Sequence, residues 1–252
     1  MIICPGFYLN MPVCLRSTHM IDQRGFSPAF YRCLPFVLFM GFIGLEELIR
    51  FCAGYGFFRL EAATLYYLYP LKAVTVGALL FIFRKRYHEL TFRDLANIPT
   101  TLASCGIGVL VFILWINMDW TLSSATDPEG FNPSLLTDRS LQITMTFFRI
   151  AGAVLVVPMM EELFWRSFLI RYIIDKNFDA VQIGTFTWAS FLFTVGLFGL
   201  EHNYVYAGIV AGVIYNLLLY RTRSLSQCIL AHAVTNLALA VYVVVTGKWQ
   251  FW

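Results

Sequence analysis

Glu161, Glu162 and Arg166 are ionisable residues inside the apolar stretch VVPMMEELFWRSFLIRYII, residues 156 to 174. A charge at the centre of a bilayer costs about 2.5 to 3.5 kcal/mol, so such groups normally face a protein-lined or water-filled interior. Glu162 and Arg166 are spaced i and i+4 with the acid first, which predicts an ion pair on a helix. Glu161 points about 100° away from Glu162 on that helix and is therefore available to a different partner.

Two later apolar segments also carry polar side chains. FGLEHNY (198 to 204) places His202 at the end of one span, and LAHAVTNLAL (230 to 239) places His232 and Asn236 on one face of another. A carboxylate beside an imidazole can orient and deprotonate water, and a second imidazole with a carboxamide can donate hydrogen bonds to a developing oxyanion. If these groups converge, they predict hydrolysis of a peptide bond without a side-chain nucleophile.

A metal site is the alternative use of the same groups. One Glu and two His are typical zinc ligands when water takes the fourth position. The helical HExxH signature is absent from the sequence, which weakens the case for zinc. The six cysteines show no CxxC or ligand-like pairing, so neither a disulfide framework nor a zinc ribbon is indicated. We therefore predict no cofactor and keep zinc as the alternative.

The composition indicates that lipid surrounds the helices that carry these residues. Hydrophobic residues make up 59% of the chain, charged residues make up 13%, and the mean hydropathy is +0.68. Such a chain cannot fold around one aqueous core without leaving much of its surface apolar. Four uncharged runs are long enough to cross a membrane, namely 101 to 118, 180 to 200, 203 to 220 and 224 to 247. Three further spans contain charges, namely 33 to 51, 62 to 83 and 145 to 174. We predict an all-α, polytopic membrane bundle of about seven transmembrane helices.

The distribution of Lys and Arg predicts the orientation of this bundle. Basic residues concentrate before the first span, in RKRYHELTFR (84 to 93) and in RTR (221 to 223), whereas residues 119 to 139 carry four acids against one arginine. Short basic loops stay on the cytoplasmic side, so we place the N-terminus inside and the terminal GKWQFW outside, in the cell inner (plasma) membrane. The net charge of +3 reflects this orientation. The sequence has no basic face with interleaved aromatic residues, so we do not predict nucleic acid as a partner. The expected partners are membrane lipid and a membrane-associated protein or peptide substrate.

The chain divides into two parts. Residues 1 to 28 form an N-terminal segment that we expect to be disordered, and residues 29 to 252 form a single integral membrane domain whose site-bearing core is 145 to 247. The segment 119 to 140 is rich in Gly, Pro and Asp, and it fits a substrate gate or a simple connector equally well. Nothing in the sequence predicts the oligomeric state.

Three motifs in the correct order resemble those of a known family. EELFWR (161 to 166) matches EExxxR, FGLEH (198 to 202) matches FxxxH, and HAVTN (232 to 236) matches HxxxN. Together they resemble the type II CAAX prenyl endopeptidases, also called CAAX proteases and bacteriocin-processing enzymes. The wider likeness, over most of the chain after its N-terminal segment, is to the bacterial CAAX prenyl protease-related proteins associated with exosortase systems. Trp165 stands where a phenylalanine is more usual, and we expect it to affect packing only.

The resemblance implies a glutamate-dependent intramembrane protease. In that family Glu161 and His202 would activate water, while His232 and Asn236 would form the oxyanion hole. The predicted Glu–Arg ion pair would support the site structurally. A non-enzymatic alternative is a transporter or a pseudoenzyme that protects a partner. The chain lacks repeat symmetry and keeps every motif residue, so the sequence favours the enzyme.

The remaining charged residues of the spans receive structural interpretations. We expect Glu46 and Glu47 to pair with Arg50 at the membrane interface, at spacings of i, i+3 or i, i+4. Lys72 and Arg149 are expected to face a partner within the bundle or to snorkel toward the interface.

Overall fold

Residues 26 to 118 and 130 to 252 are described by a computed structural model, in which every element is helical. The described residues form seven long helices: α1 Pro28–Gly54, α2 Leu68–Phe83, α3 Ile98–Ile116, α4 Arg139–Ile174, α5 Trp188–Leu200, α6 Val205–Thr222 and α7 Leu225–Thr246. Short 3-10 turns occupy Ala62–Tyr67, Arg84–Arg86, Phe92–Ala96, Pro133–Leu135, Phe178–Ala180 and Trp249–Phe251. The predicted all-α bundle is confirmed. Residues 1 to 25 of the N-terminal segment, and residues 119 to 129 of the connection interpreted as a gate or a connector, lie outside the described residues.

The helices have the length and composition of membrane spans. Five stretches of the described residues are long and apolar enough to cross a bilayer: Ala63–Arg86, α3, α4, α6 and α7. Large apolar side chains also point outward, including Phe81, Leu102 and Phe193, each more than 60% exposed. Exposed apolar surface on this scale is stable only in lipid. The chain is therefore a membrane protein.

The fifth helix begins later than the sequence predicts. The expected span was 180 to 200, but α5 starts at Trp188 and has only 13 residues. Gly184 adopts a positive φ of 78°, which interrupts any helix, and the Thr187 hydroxyl caps α5 by accepting from the Ser190 N–H at 3.2 Å. At 1.5 Å per residue, α5 is about 20 Å long.

Helix α4 is 36 residues long and contains two π-helical segments, Gly152–Val156 and Leu163–Leu169. In the first segment the Val157 N–H bonds to the Gly152 carbonyl, five residues back. Pro158 follows, and at the same spacing of five residues its N–H would bond to the Ala153 carbonyl. Proline has no N–H, so this bond is absent. Such π-helical segments are often found at functional sites.

Small residues bring the helices of the core into close contact. A Cβ on Gly108 of α3 would lie 2.4 Å from the Ala231 carbonyl of α7, so only glycine permits this approach. On α6, a Cβ on Gly208 would lie 3.0 Å from the Gly199 Cα of α5. These contacts draw α3 toward α7 and α5 toward α6, and they bring α7 and α5 to the region of the charged residues on α4.

A buried ion network joins three parts of the chain at the end of the bundle where α4 terminates. Arg32 of α1 donates to Glu89 through Nε and Nη2, both at 2.7 Å, and Glu89 lies in the connection between α2 and α3. The Ser167 hydroxyl of α4 donates to the same carboxylate, and the Arg171 guanidinium lies 3.8 Å from it. Burial by itself raises the pKa of Glu89, but the hydrogen bonds and charge of Arg32 and the Ser167 bond outweigh burial and hold the pKa below its ordinary value.

Candidate active site

A cavity of about 460 Å³ lies inside the bundle and reaches the end formed by Asn203 and Trp252. Glu161 of α4, His202 after α5, and His232 and Asn236 of α7 all line it. The structure therefore brings together the four residues that the sequence analysis selected for catalysis, from three separate crossings.

The late start of α5 explains why these residues lie at one depth. Glu161 lies 13 residues before the end of α4, or about 20 Å along the helix. Counted from Trp188, His202 lies 14 residues into its segment, or about 21 Å at the same rise. A helix starting near residue 180 would have placed His202 roughly 30 Å from that end, well beyond the glutamate.

The predicted ion pair is present. Arg166 Nη1 lies 3.1 Å from Glu162 Oε1, and the two side chains are 1% and 0% exposed. Arg166 Nε also donates to Asn216 Oδ1 of α6 at 3.2 Å, and the guanidinium stacks over the Phe198 ring at 4.4 Å. A buried charge is tolerated when it is paired and hydrogen-bonded in this way. The pair thus fixes α4 against α5 and α6 behind the cavity.

The His232 imidazole lies between the two glutamates. Its Nδ1 is 2.9 Å from Glu162 Oε1, and its Nε2 is 4.0 Å from Glu161 Oε2. An ionised carboxylate can only accept, so Nδ1 carries a proton and Nε2 is the nitrogen directed toward Glu161. Tyr215 stacks on the imidazole with ring centroids 5.0 Å apart, and its hydroxyl donates to Thr235 at 2.7 Å. The ring is therefore held in one orientation.

His202 is fixed by a backbone carbonyl. Its Nδ1 lies 2.7 Å from the Phe198 oxygen, and because that oxygen is an acceptor, Nδ1 donates. The neutral imidazole then carries its lone pair on Nε2. Within the described residues no hydrogen bond joins His202 directly to Glu161, and the imidazole nearer to Glu161 is that of His232. The two residues expected to activate water share the cavity without touching.

Asn236 satisfies the carbonyl that Pro158 leaves without a donor. Asn236 Nδ2 donates to Ala153 O at 2.8 Å, in the first π-helical segment of α4. This bond joins α7 to α4 at the level of the cavity. It uses one of the two amide hydrogens, and the second is available to a ligand in the cavity.

Sequence reasoning missed Glu201. Its Oε2 accepts a hydrogen bond from Trp165 Nε1 at 3.0 Å, and its side chain lines the cavity. The expectation that Trp165 affects packing only is therefore wrong, because its indole N–H holds a cavity carboxylate. The signal was present in the sequence, since Glu201 immediately precedes His202 at the end of an uncharged run.

Other charged residues of the spans lie near the mouth of the cavity. Lys72 Nζ contacts Glu46 Oε1 at 3.0 Å, so of the two expectations for Lys72, a partner within the bundle or snorkelling, the structure shows a partner. Glu47 and Arg50 pair at 4.0 Å with the expected i, i+3 spacing, whereas Glu46 turns away from Arg50 toward Lys72. Arg149 packs over the Tyr69 ring and lines the same cavity. The mouth therefore contains both signs of charge.

The residues do not form a metal site of the usual kind. Within the described parts of the chain, no three or more His, Cys, Asp or Glu side chains are arranged to hold a metal ion. We therefore derive no chemical step through zinc.

Comparison with known protein families gives a match to part of the chain. Residues 143 to 238 match the family model described as type II CAAX prenyl endopeptidase Rce1-like. The matched region begins within α4, ends within α7 and contains all seven fixed positions of the three motifs. No match was found among curated proteins or among solved structures. The match supports a CAAX-type intramembrane protease in general.

Proposed function

We propose that the chain is an intramembrane endopeptidase that hydrolyses a peptide bond of a membrane-associated protein or peptide. The observation that carries this proposal is the buried, unpaired carboxylate oxygen of Glu161. Glu161 Oε2 is buried and has no hydrogen-bond partner among the described residues, although the cavity beside it is lined by two imidazoles. A buried acceptor without a donor costs free energy, and active sites are where such groups recur.

Glu161 is the proposed general base. In the other cavity carboxylate close to the histidines, Glu201, the Oε2 oxygen is bonded to the Trp165 indole, whereas Glu161 Oε2 has no partner among the described residues. Glu161 has a free oxygen, so it can accept a proton from a water molecule. His202 offers a lone pair on Nε2 to orient the same water, since its Nδ1 proton is committed to the Phe198 carbonyl.

His232 and Asn236 are the proposed oxyanion donors. A His232 ring with a proton on each nitrogen would donate Nδ1–H to Glu162 and direct Nε2–H toward the cavity. In that form Nε2–H can donate to the oxygen of a tetrahedral intermediate. Asn236 contributes its second amide hydrogen.

The proposed reaction balances with water as the only co-substrate. The water oxygen attacks the carbonyl carbon while Glu161 takes one proton, and negative charge develops on the carbonyl oxygen. The C–N bond then breaks as Glu161 passes that proton to the leaving nitrogen. The products are a carboxylic acid and an amine, and Glu161 returns to its carboxylate form.

The proposal includes a location. The basic residues of the short connections lie at one end of the bundle, so we place that end in the cytoplasm and the C-terminus outside, in the inner (plasma) membrane. Asn203 and Trp252, at the mouth of the cavity, then face outward.

Cleavage of co-expressed membrane-anchored peptides by the wild type and by two matched variants tests the proposal. Glu161→Gln removes the base and should lower the rate by roughly 10²- to 10⁴-fold. Glu201→Gln still offers an oxygen to the Trp165 indole, so most activity should remain. Cleavage products are identified by mass spectrometry.

Three results would overturn the mechanism. Equal cleavage by the wild type and by Glu161→Gln would support the non-catalytic, partner-protecting alternative. Equal losses in the Glu161 and Glu201 variants would remove the distinction between the two carboxylates. Inhibition by a chelator that added zinc reverses would restore the metal-dependent alternative.

A further inference from the structure

A second cavity, of about 750 Å³, lies at the opposite end of the bundle from Asn203 and Trp252. Its walls come from α3, the end of α6, the start of α7 and the 3-10 turn Phe92–Ala96. It shares no lining residue with the candidate active site. We call it the basic pocket, because Arg93, Arg221 and Arg223 line it.

The charge of the basic pocket is not balanced by its own residues. Within the described parts of the chain, the side chains of Arg93, Arg221 and Arg223 make no hydrogen bond or ion pair. Asp94 is the one carboxylate among the described lining residues, and its Oδ2 already accepts the Ser224 hydroxyl. Three guanidinium groups and one carboxylate leave a net charge of 3 − 1 = +2. This arrangement fits a phosphate group, which arginine binds through paired N–H donors.

A buried acceptor in the basic pocket also lacks a donor. Gln227 is 1% exposed, and its Nε2 donates to the Asp94 carbonyl at 3.0 Å and to Thr101 Oγ1 at 3.1 Å. With the amide nitrogen fully used, Oε1 is the remaining polar atom, and it has no partner among the described residues. A ligand that carries a hydroxyl near its phosphate would supply the missing donor.

Arg223 adopts a backbone conformation that most residues avoid. Its φ is +52°, and it is the one non-glycine residue with positive φ in the described ranges. This left-handed position ends α6 and normally favours glycine or asparagine. Strain of this kind persists where the surrounding structure imposes it, and it clusters at functional sites. Here it places an arginine at the pocket instead of an uncharged cap.

The remaining wall distinguishes a lipid from a free ion. Ile107 of α3 and Leu218 of α6 line the basic pocket below the arginines. Apolar side chains contribute nothing to binding inorganic phosphate, but they would pack against the acyl chains of a lipid. Basic pockets between the ends of transmembrane helices are suited to anionic head groups.

We propose that the basic pocket binds the phosphodiester of an anionic glycerophospholipid whose head group carries a hydroxyl. The three arginines contact the phosphate oxygens, Gln227 Oε1 accepts the head-group hydroxyl, and the acyl chains lie along Ile107 and Leu218. The proposal is independent of the protease assignment, because it uses none of the active-site residues.

Lipid titration of the purified full chain in a neutral detergent tests the proposal. The probes are phosphatidylglycerol, phosphatidylmethanol, which has the same charge but no hydroxyl, phosphatidylcholine and inorganic phosphate. Native mass spectrometry measures bound lipid, and thermal unfolding measures the shift in Tm. We expect phosphatidylglycerol to bind several-fold more tightly than phosphatidylmethanol and at least about tenfold more tightly than phosphatidylcholine.

The variants are Arg221→Gln and Arg223→Asn, with Arg84→Gln as the matched control at the same end of the bundle but outside the pocket. Each pocket variant should weaken phosphatidylglycerol binding by roughly tenfold. Asparagine tolerates the left-handed conformation, so the lipid-free Tm of Arg223→Asn should not fall. Unchanged binding in both variants, equal binding of the two anionic lipids, or full stabilisation by inorganic phosphate would each overturn the proposal.

Discussion

At the scale of single residues, His232 is the group whose protonation matters most. Glu162 holds Nδ1 at 2.9 Å and Glu161 lies 4.0 Å from Nε2, so each nitrogen faces a different carboxylate. An oxyanion donor needs a proton on Nε2, whereas a general base needs a lone pair there. Substitution by the two amide residues separates these roles, because glutamine places its N–H near the position of Nε2 and asparagine places it near Nδ1.

We predict that His232→Gln keeps measurable cleavage, because its amide still donates near the oxyanion position. His232→Asn should lose about 10²- to 10³-fold in kcat, the usual cost of removing one oxyanion-hole donor. Single-turnover cleavage of the same peptide compares the two variants directly.

The matched comparison is at His202, where the lone pair on Nε2 is the functional feature. A carboxamide oxygen can accept a hydrogen bond but is far less basic than an imidazole nitrogen, so His202→Gln and His202→Asn should both be impaired. If His232→Gln were as inactive as His232→Asn, the donor role of His232 would be wrong and a base role would replace it.

The residue types at this site could be predicted from the sequence, because ionisable groups stand out in apolar spans. Glu161, His202, His232 and Asn236 all line the predicted cavity. Their pairing could not be predicted, since it depends on how α7 is rotated against α4. Hydropathy and motif spacing report neither rotation nor the hydrogen bond between Trp165 and Glu201.

At the scale of helices, the first π-helical segment of α4 depends on α7. Pro158 cannot donate to the Ala153 carbonyl, and Asn236 supplies the donor at 2.8 Å. Proline, π-helical register and asparagine therefore act as one unit across two helices. A buried carbonyl without that donor would cost about 1 to 3 kcal/mol.

We predict that Asn236→Ala lowers the free energy of unfolding by about 1 to 3 kcal/mol. In a Pro158→Ala background, the restored N–H of residue 158 can bond to Ala153 O, so the same substitution should cost less. A double-mutant cycle in detergent, by equilibrium unfolding, should give a coupling energy of about 0.5 to 3 kcal/mol.

Pro35 of α1 provides the control for this cycle, because it is also a proline inside a helix, and α1 packs mainly against α2 and α4 rather than against α7. The effects of Pro35→Ala and Asn236→Ala should add. Additive effects in the Pro158 cycle would show that the Asn236 bond does not replace a backbone donor.

Runs of apolar residues predicted that the helices exist, but they predicted the residues at which the helices begin and end less well. The predicted span 180 to 200 was too long because residues 181 to 187 are also uncharged, so hydropathy shows no boundary there. The positive φ of Gly184 and the Thr187 cap exclude these residues from α5. The π-helical segments leave no mark in hydropathy, and Pro158 was their one visible sign.

At the scale of the whole molecule, the ion network around Glu89 joins α1, the connection between α2 and α3, and α4. Arg32 and Glu89 are 57 residues apart in the sequence, and Ser167 is 78 residues beyond Glu89. No spacing rule connects residues so far apart, so the network could not be predicted. Removing one partner of a buried pair leaves an uncompensated charge.

We predict that Glu89→Gln lowers the free energy of unfolding at pH 7 by about 3 kcal/mol, since the buried Arg32 then keeps only the half-exposed Asp179, 3.7 Å away, as a counter-ion. The pKa of Glu89 in the folded protein is below the ordinary value of 4.5, so its stabilisation is present above that value. It is lost as the pH falls through the lower, folded value. The Tm of the wild type should therefore drop between about pH 5 and pH 3, and the variant should show a shallower drop.

Thermal unfolding in detergent across this pH range checks the prediction, with Glu61→Gln as a control because Glu61 is exposed. Parallel pH profiles for the wild type and Glu89→Gln would mean that Glu89 does not contribute to acid sensitivity.

The 13-residue α5 has one more consequence. Its apolar length of about 20 Å is less than the hydrocarbon thickness of about 30 Å, and lipid accommodates such a hydrophobic mismatch by thinning locally. Leu192, Phe193 and Leu197 face outward along this helix, so the thinned lipid lies beside the segment that carries His202. Water and a substrate backbone therefore meet the shortest hydrocarbon barrier next to the residues proposed to act on them. We therefore expect the proposed cleavage to be faster in bilayers whose lipids have shorter acyl chains.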